Sequence, residues 1–421
     1  MSSSNLAPSQ LKSDAVQVVK LILLGWISLV ALTQADAAQL ADPREDLNEL
    51  VTLIHERLSL MPDVARWKHV HSLGVRDPVR ERRVLDDVER QAREFGLDGA
   101  LIRDFFRIQI DAASAKEEAE LARLQSNQRI GDLKDLTREL RPRLDAIGKQ
   151  ILVRLYLIAS DQSRAGSPER MQLASELQRA GLAAEQSQQT EHVLLSLRVL
   201  HAPSMDAIKR IGILRIATPA DYAPFSAIEE GELAGSDIEA VAKFAASLGL
   251  APRFERTSWS ALMSDYQHNA FDVAVGGISV TPERSSLAKF TQPYYRGGKT
   301  PIVRCGSEQA FDTLEEIDSP QVTVIVNPGG TNQQFANSHF HRAHVIVFPD
   351  NTTIFQEIVA GRADVMVTDD AEVDLQVARN PSLCRATPKT FTESSKAWML
   401  SDDPDLLSAA NAWLAAHPPR H

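Results

Sequence analysis

The chain has 421 residues, too long for one ordinary domain and enough for two or three, each with its own core. Its composition, 43% hydrophobic and 24% charged with 20 Gly and 21 Pro, excludes collagen-like and wholly disordered architectures. A net charge of −11 lacks the basic face a general nucleic-acid binder needs, so no nucleic-acid partner is expected. A small anionic ligand stays compatible, because local Arg and Lys outweigh the global sum over short distances.

Residues 1–20 are polar and include Lys12 and Lys20; an apolar run follows over 21–32, then Ala35-Asp36-Ala37. A positive segment, a short apolar stretch and an A-x-A site make a secretory signal peptide over 1–37, cleaved after Ala37. Spanning a membrane needs about 20 apolar residues, so no membrane association is expected after cleavage. The remainder is expected in the periplasm.

From 38 to 200 the pattern is helical. Leu47, Leu50, Val51, Ile54, Leu58 and Met61 predict a helix over 46–61, and amphipathic stretches follow over 78–95, 98–124, 128–160 and 167–199. A break at His201-Ala-Pro-Ser204 marks a linker over 201–205. From 206 to 421 short β-branched runs (213–217, 273–275, 322–326, 345–348, 365–367) alternate with helical segments such as 238–248 and 353–360. That alternation builds a mostly parallel sheet. The expected architecture is multidomain: an all-α domain, then an α/β domain.

In the helical half, Arg57 lies three residues past Ile54 and seven past Leu50. Glu117 continues the series Phe106, Ile110, Ala113. Both project from an apolar stripe, where a charge is costly unless paired or bound to ligand. An internal Arg–Glu ion pair would explain the same pattern.

In the α/β half, Arg284 follows the strand-turn "GGISVTPER", which includes Ser279, and its donor fork can clamp a carboxylate. "NPGGTNQQFA", from Asn327, is a Gly-rich turn into a helix, whose amides near Thr331 and Asn332 can cap a second anion. The chain has two cysteines, too few for a zinc cluster, and no metal or cofactor is expected. In an oxidising compartment Cys305 and Cys384 are expected to pair.

The segments "GILRIATPADYAPFS", "GELAGSDIEAVAKFAASLGL" and "FDVAVGGISVTPERSSLAKFTQPYY" resemble, in that order, type II periplasmic solute-binding proteins. The resemblance spans about 206–400 and implies two α/β lobes, joined by crossover strands, that close on a ligand. Within that frame "GKTPIVRC", "VNPGGTNQQFA", "FPDNTTIFQEIVAGRADVMVTDDAEVDLQ" and "PSLC" resemble the periplasmic cyclohexadienyl dehydratases. These convert prephenate to phenylpyruvate and arogenate to phenylalanine, expelling hydroxide and CO₂ together. The resemblance puts the general acid at Glu372, in "TDDAE", and a partner for a ligand ammonium at Asp369. It implies Lys299, Trp259 and Tyr222 as cleft walls. Those enzymes continue with another helical segment where this sequence reads "AANAWLAAHPPRH".

The helical half resembles the secreted γ-class chorismate mutases, all-helical and usually dimeric, which rearrange chorismate to prephenate. The matching residues stand in order: Arg57 and Lys68 in "HERLSLMPDVARWKH", Arg80 in "RDPVRERR", Glu117 in "FFRIQIDAASAKE", Arg141 in "LRPRLDAI". Such a site needs cations for two carboxylates and donors at the ether oxygen, where negative charge develops. The family places Thr or Ser one turn before the acid, where this chain has Ala113. Ser114 and Glu118 keep that spacing only with a shift inside the helix, so the unshifted reading is preferred, with one hydrogen bond lost. The resemblance implies a homodimer through this half. Because the first product is the second substrate, the expected function is a bifunctional exported enzyme acting on chorismate, prephenate and arogenate. The alternative is an amino-acid-binding protein of a transporter with a helical dimerisation module.

Overall fold

The computed structural model describes residues 38–124, 133–161 and 170–419. The signal segment and its cleavage site at Ala37 lie outside these.

The first helix, Pro43–Ser59, starts where Asp42 accepts from the Arg44 amide and Pro43 presets the first turn. It stops one residue before a second helix, Met61–Val70. The apolar stripe runs through both, but Pro62 lacks the N–H a continuous helix would need. Two long helices follow, Pro78–Glu94 and Gly99–Arg123, capped by Asp77 and Asp98. A π-turn, Leu136–Leu140, feeds the helix Arg141–Ser160. The amphipathic stretch over 167–199 contains two helices, Arg170–Arg179 and Ala184–Ser196, parted at Gly181 with φ +112. Leu50, Ile54, Phe105, Phe106, Ile151 and Tyr156 lie in their common core.

The expected linker is not a free tether. The Leu200 amide donates to the Gly96 carbonyl at 2.7 Å, and a Cβ at Gly96 would fall 2.1 Å from the His201 carbonyl oxygen. Ser204 then caps the helix Met205–Ile211, whose Ala207 and Ile211 join the core of the helical half.

Two lobes follow. The first has a five-stranded sheet in the order Ala251–Arg256, Ile213–Thr218, Val273–Ala274, Met399–Leu400, Lys289–Phe290. The second runs His344–Val347, Thr323–Val326, Val365–Asp369, Lys299–Arg304, Leu383–Arg385. In each sheet four strands run one way and one, Met399–Leu400 in the first and Lys299–Arg304 in the second, runs against them, so the sheets are mixed. Between the lobes, Tyr295–Gly297 pairs antiparallel with Ser394–Lys396 as a crossover ribbon. Cys305 and Cys384 form the expected disulfide.

The two halves share buried polar contacts. The Ala41 amide donates to the Phe254 carbonyl at 2.7 Å. Arg215 is fully buried, paired with Asp272 at 2.7 Å, and its guanidinium lies 4.6 Å from the Tyr156 ring centroid. Such a desolvated cation gains from the ring quadrupole as well as from its carboxylate. Among the described residues no helix is long and apolar enough to cross a membrane.

Candidate active sites

In the helical half, Arg57, Lys68, Arg80, Glu117 and Arg141 line one cleft with about 700 Å³ of empty space. Five helical stretches deliver them: Arg57 ends Pro43–Ser59, Lys68 ends Met61–Val70, Arg80 begins Pro78–Glu94, Glu117 lies within Gly99–Arg123, and Arg141 opens its helix. Met61, Val64, Val84, Ile110 and Leu136 supply apolar wall.

The two charges of the apolar stripe are satisfied differently. Lys68 Nζ donates to Glu117 Oε2 at 2.7 Å and also to the Val75 carbonyl. Burial pushes Glu117 above the ordinary carboxyl range, against the lowering pull of Lys68. Arg57 has no hydrogen-bond or ion-pair partner among the described residues, and its Nε is buried without an acceptor. Burial lowers its pKa, Asp145 opposes and Arg80 adds to the lowering. The internal Arg57–Glu117 pair left open by the sequence is therefore not formed. A desolvated guanidinium without an acceptor costs free energy until an anion arrives. Arg141 lines the same space with no ion pair among the described residues, and Arg80 contacts Asp145 at 3.1 Å. Glu117 is buried and Glu118 exposed, while Ser114 joins Ala113 on the cleft wall.

The second cleft lies between the lobes, with about 300 Å³ of empty space. Tyr222, Trp259, Ser279 and Arg284 line it from the first lobe; Asn327, Thr331, Asn332 and Asp369 line it from the second. Gly277 is also there at φ +71, and a Cβ on it would come within 2.7 Å of the Tyr222 ring. Arg284 is buried, donates to the Ser279 carbonyl at 3.0 Å and has no carboxylate partner among the described residues; burial lowers its pKa. This is a second guanidinium prepared for an anion.

Asp369 departs from expectation. Lys299 approaches one oxygen at 2.9 Å, Lys396 the other at 2.5 Å, and the Tyr222 hydroxyl donates to the latter. Burial would raise this carboxyl, but the two lysines outweigh it and hold it well below the usual range. The position expected to receive a ligand ammonium thus already holds two of the protein's own. Lys299 does not line the cleft; it stands behind Thr331 and Asn332 and donates to both.

Glu372 sits in the first turn of the helix Asp370–Arg379, buried rather than on the cleft surface. Its Oε2 accepts from the Thr368 hydroxyl at 2.5 Å, and Thr368 accepts from Asn332 Nδ2 at 2.9 Å. One hydrogen-bonded link therefore separates it from the Asn332 wall. Burial pushes its pKa up to about 8; Thr368 opposes and the Asp369 charge reinforces. A carboxyl that stays protonated at neutral pH behind the wall of an anion-binding cleft can serve as a general acid.

Sequence reasoning missed Lys396, Thr368 and Asn351. Thr368 stands four residues before Glu372, a spacing that could have drawn notice. Lys396 comes from the crossover ribbon and has no local signature. Among the described residues one cluster has metal-ligand spacing, Cys305, Glu308 and Cys384, and both its thiols are tied in the disulfide.

Residues 214–418 match the family model of bacterial extracellular solute-binding proteins, family 3, and residues 48–118 that of chorismate mutase type II. Cyclohexadienyl dehydratase of Pseudomonas aeruginosa is 46% identical over 212 residues, 50% of this chain and 79% of that protein. The L-cystine-binding protein TcyJ of Escherichia coli is 25% identical over 214 residues, with the same coverage of 50% and 79%. Among solved structures, an ancestral amino-acid-binding protein described as a precursor of cyclohexadienyl dehydratase is 32% identical with a TM-score of 0.47, covering 50% of this chain and 92% of that one.

Proposed function

The chain belongs to the cyclohexadienyl dehydratase family, and from that premise we propose that it is a bifunctional exported enzyme. It converts chorismate to prephenate in the helical cleft, and prephenate to phenylpyruvate, or arogenate to phenylalanine, in the cleft between the lobes. The observation that carries the reading is that one chain holds two desolvated guanidinium groups without a carboxylate partner, Arg57 and Arg284, each in its own cleft, with the raised carboxyl of Glu372 one hydrogen-bonded link behind the wall of the second.

In the first step no proton moves: an ether C–O bond breaks as a C–C bond forms. Arg57 and Arg141 take the carboxylates of chorismate, and Lys68, held by Glu117, donates to the ether oxygen as charge grows there. In the second step Arg284 and the amides at Thr331 hold the carboxylates. Glu372, one hydrogen-bonded link behind the Asn332 wall, is the source of the proton that the departing hydroxyl takes up to leave as water. The electrons of the ring-to-carboxylate bond complete the aromatic ring, CO₂ departs, and Glu372 regains a proton from solvent.

Purified protein incubated with chorismate should yield phenylpyruvate, read by its absorbance in base. Unchanged chorismate together with unchanged prephenate would sink the reading. The transporter alternative needs Asp369 free for a ligand ammonium, and the lysines that occupy it weigh against that.

The periplasmic address, after removal of residues 1–37, is supported by the match to an extracellular family; N-terminal sequencing of the exported protein should begin at Ala38. The homodimer rests on the helical resemblance, and sedimentation of the full chain as a monomer at micromolar concentration would refute it.

A further inference from the structure

The following rests on the dehydratase reading of the cleft between the lobes and names the form of substrate it takes. Three cations gather there: Arg284 and Lys396 on the wall, Lys299 just behind it. Among the described residues one ionised carboxylate, Asp369, lines the same space. The other nearby acids are set back. Glu372 lies behind Thr368, and Asp221 accepts from the Trp259 indole at 3.0 Å outside the cleft lining. The wall itself therefore carries two cations, Arg284 and Lys396, against one ionised carboxylate; behind it Lys299 has a counterpart in Asp237, which accepts from the Gly277 amide at 2.9 Å.

Prephenate carries two carboxylates and a neutral ketone. Arogenate carries the same carboxylates with an ammonium in place of the ketone. We propose that this cleft selects the keto dianion over its amino counterpart, and that Lys396 is the residue that sets the preference.

Charge is the first reason: the wall is net positive, and a dianion is attracted to it more strongly than a substrate of net charge −1. The second is local. Asp369 is the carboxylate that could receive a substrate ammonium, and Lys299 and Lys396 already face its two oxygens at 2.9 and 2.5 Å. A third ammonium would approach two like charges at short range in a desolvated site, where repulsion is little screened. Lys396 cannot easily give way. Its Nζ also donates to Ser279 Oγ at 2.9 Å and lies 5.2 Å from the Tyr222 ring centroid, and its strand is paired to Tyr295–Gly297. A ketone oxygen, by contrast, accepts from the N–H groups this site offers in excess.

The test uses the full chain with both substrates. Wild-type kcat/KM should favour prephenate over arogenate by about tenfold or more. Lys396→Met keeps the apolar stem and removes the charge, and should lower that ratio by about tenfold, mainly through KM for arogenate. Parity or an arogenate preference in wild type would overturn the proposal, as would an unchanged ratio in a folded Lys396→Met protein. Should that variant misfold, product inhibition of the wild type decides: phenylpyruvate should inhibit prephenate turnover more tightly than phenylalanine, and the reverse order would refute selection of the keto form. Turnover of neither substrate is a different outcome, and defeats the dehydratase reading itself.

Discussion

Arg253, from the strand Ala251–Arg256 of the α/β half, reaches Asp46 of the first helix at 2.6 Å, and that carboxylate is fully buried. Arg154 meets its other oxygen at 3.0 Å. One acid thus ties two helices and a lobe together. Removing one partner of a buried pair leaves uncompensated charge and costs about 3–5 kcal/mol. Asp46→Ala should fall near the lower end, about 3 kcal/mol, because both arginines keep some exposure. Urea unfolding should show both halves shifting together; a shift confined to one half would refute the coupling.

A general acid must hold its proton to act. With its pKa pushed up to about 8, Glu372 is protonated below that pH, so dehydratase turnover should hold through neutrality and decline as pH rises past about 8. Glu372→Gln should cut turnover by about 10²–10⁴-fold and abolish the alkaline decline, with mutase activity unaffected. Near-normal dehydration by the Gln variant would move the acid elsewhere.

Arg57 offers a cleaner separation of the two chemistries. Its guanidinium has no internal ion pair to lose, so Arg57→Ala should fold with stability equal to or above the wild type. Loss of a charged donor to a desolvated carboxylate costs about 2–5 kcal/mol, on the order of 10²–10³-fold in kcat/KM. Chorismate turnover should fall by that order while prephenate dehydration persists. Parallel loss of both activities in folded protein would show that the sites are not separate.

The disulfide is checkable without activity. Denatured, unreduced protein should give no free thiol, since the chain's two cysteines are joined. Reduction opens a loop with a sequence separation of 79, which the chain-entropy model values at about 4 kcal/mol. Two thiols per chain on titration would contradict the bridge.

Arg57 and Glu117 were legible because a charge at helical spacing among apolar residues shows in one dimension. The partner of Glu117 was not legible. Lys68 comes from another helix, 49 residues away, and only the packing of the two decides the pair. The first helix ends close to the expected 61, but the new helix from Met61 was hidden because the apolar period continues through Leu60, and Pro62 is tolerated in the first turn of a helix. The strand Lys299–Arg304 carries Pro301 in a central position, where proline ordinarily argues against a strand. Arg284, Asn327, Thr331 and Asn332 were legible from a strand-turn and a Gly-rich turn into a helix, and the resemblance to binding proteins added Asp369. It misplaced the role of Asp369, because Lys396 enters from a ribbon that no nearby residue pattern ties to the site.

Tyr222 belongs to the first lobe and Asp369 to the second, so the hydrogen bond between them is also a clasp. Asn351 to the Asp221 carbonyl at 2.9 Å and Arg379 to Glu229 at 3.0 Å clasp the lobes elsewhere. Any parting of the lobes to admit a molecule to Arg284 must break these bonds. Capture then becomes a two-step event: its observed rate should climb with concentration and level off at the rate of opening. The same clasps delay departure. Slow entry is the counterpart of a dry interior, and Glu372 keeps its proton only where water is kept out.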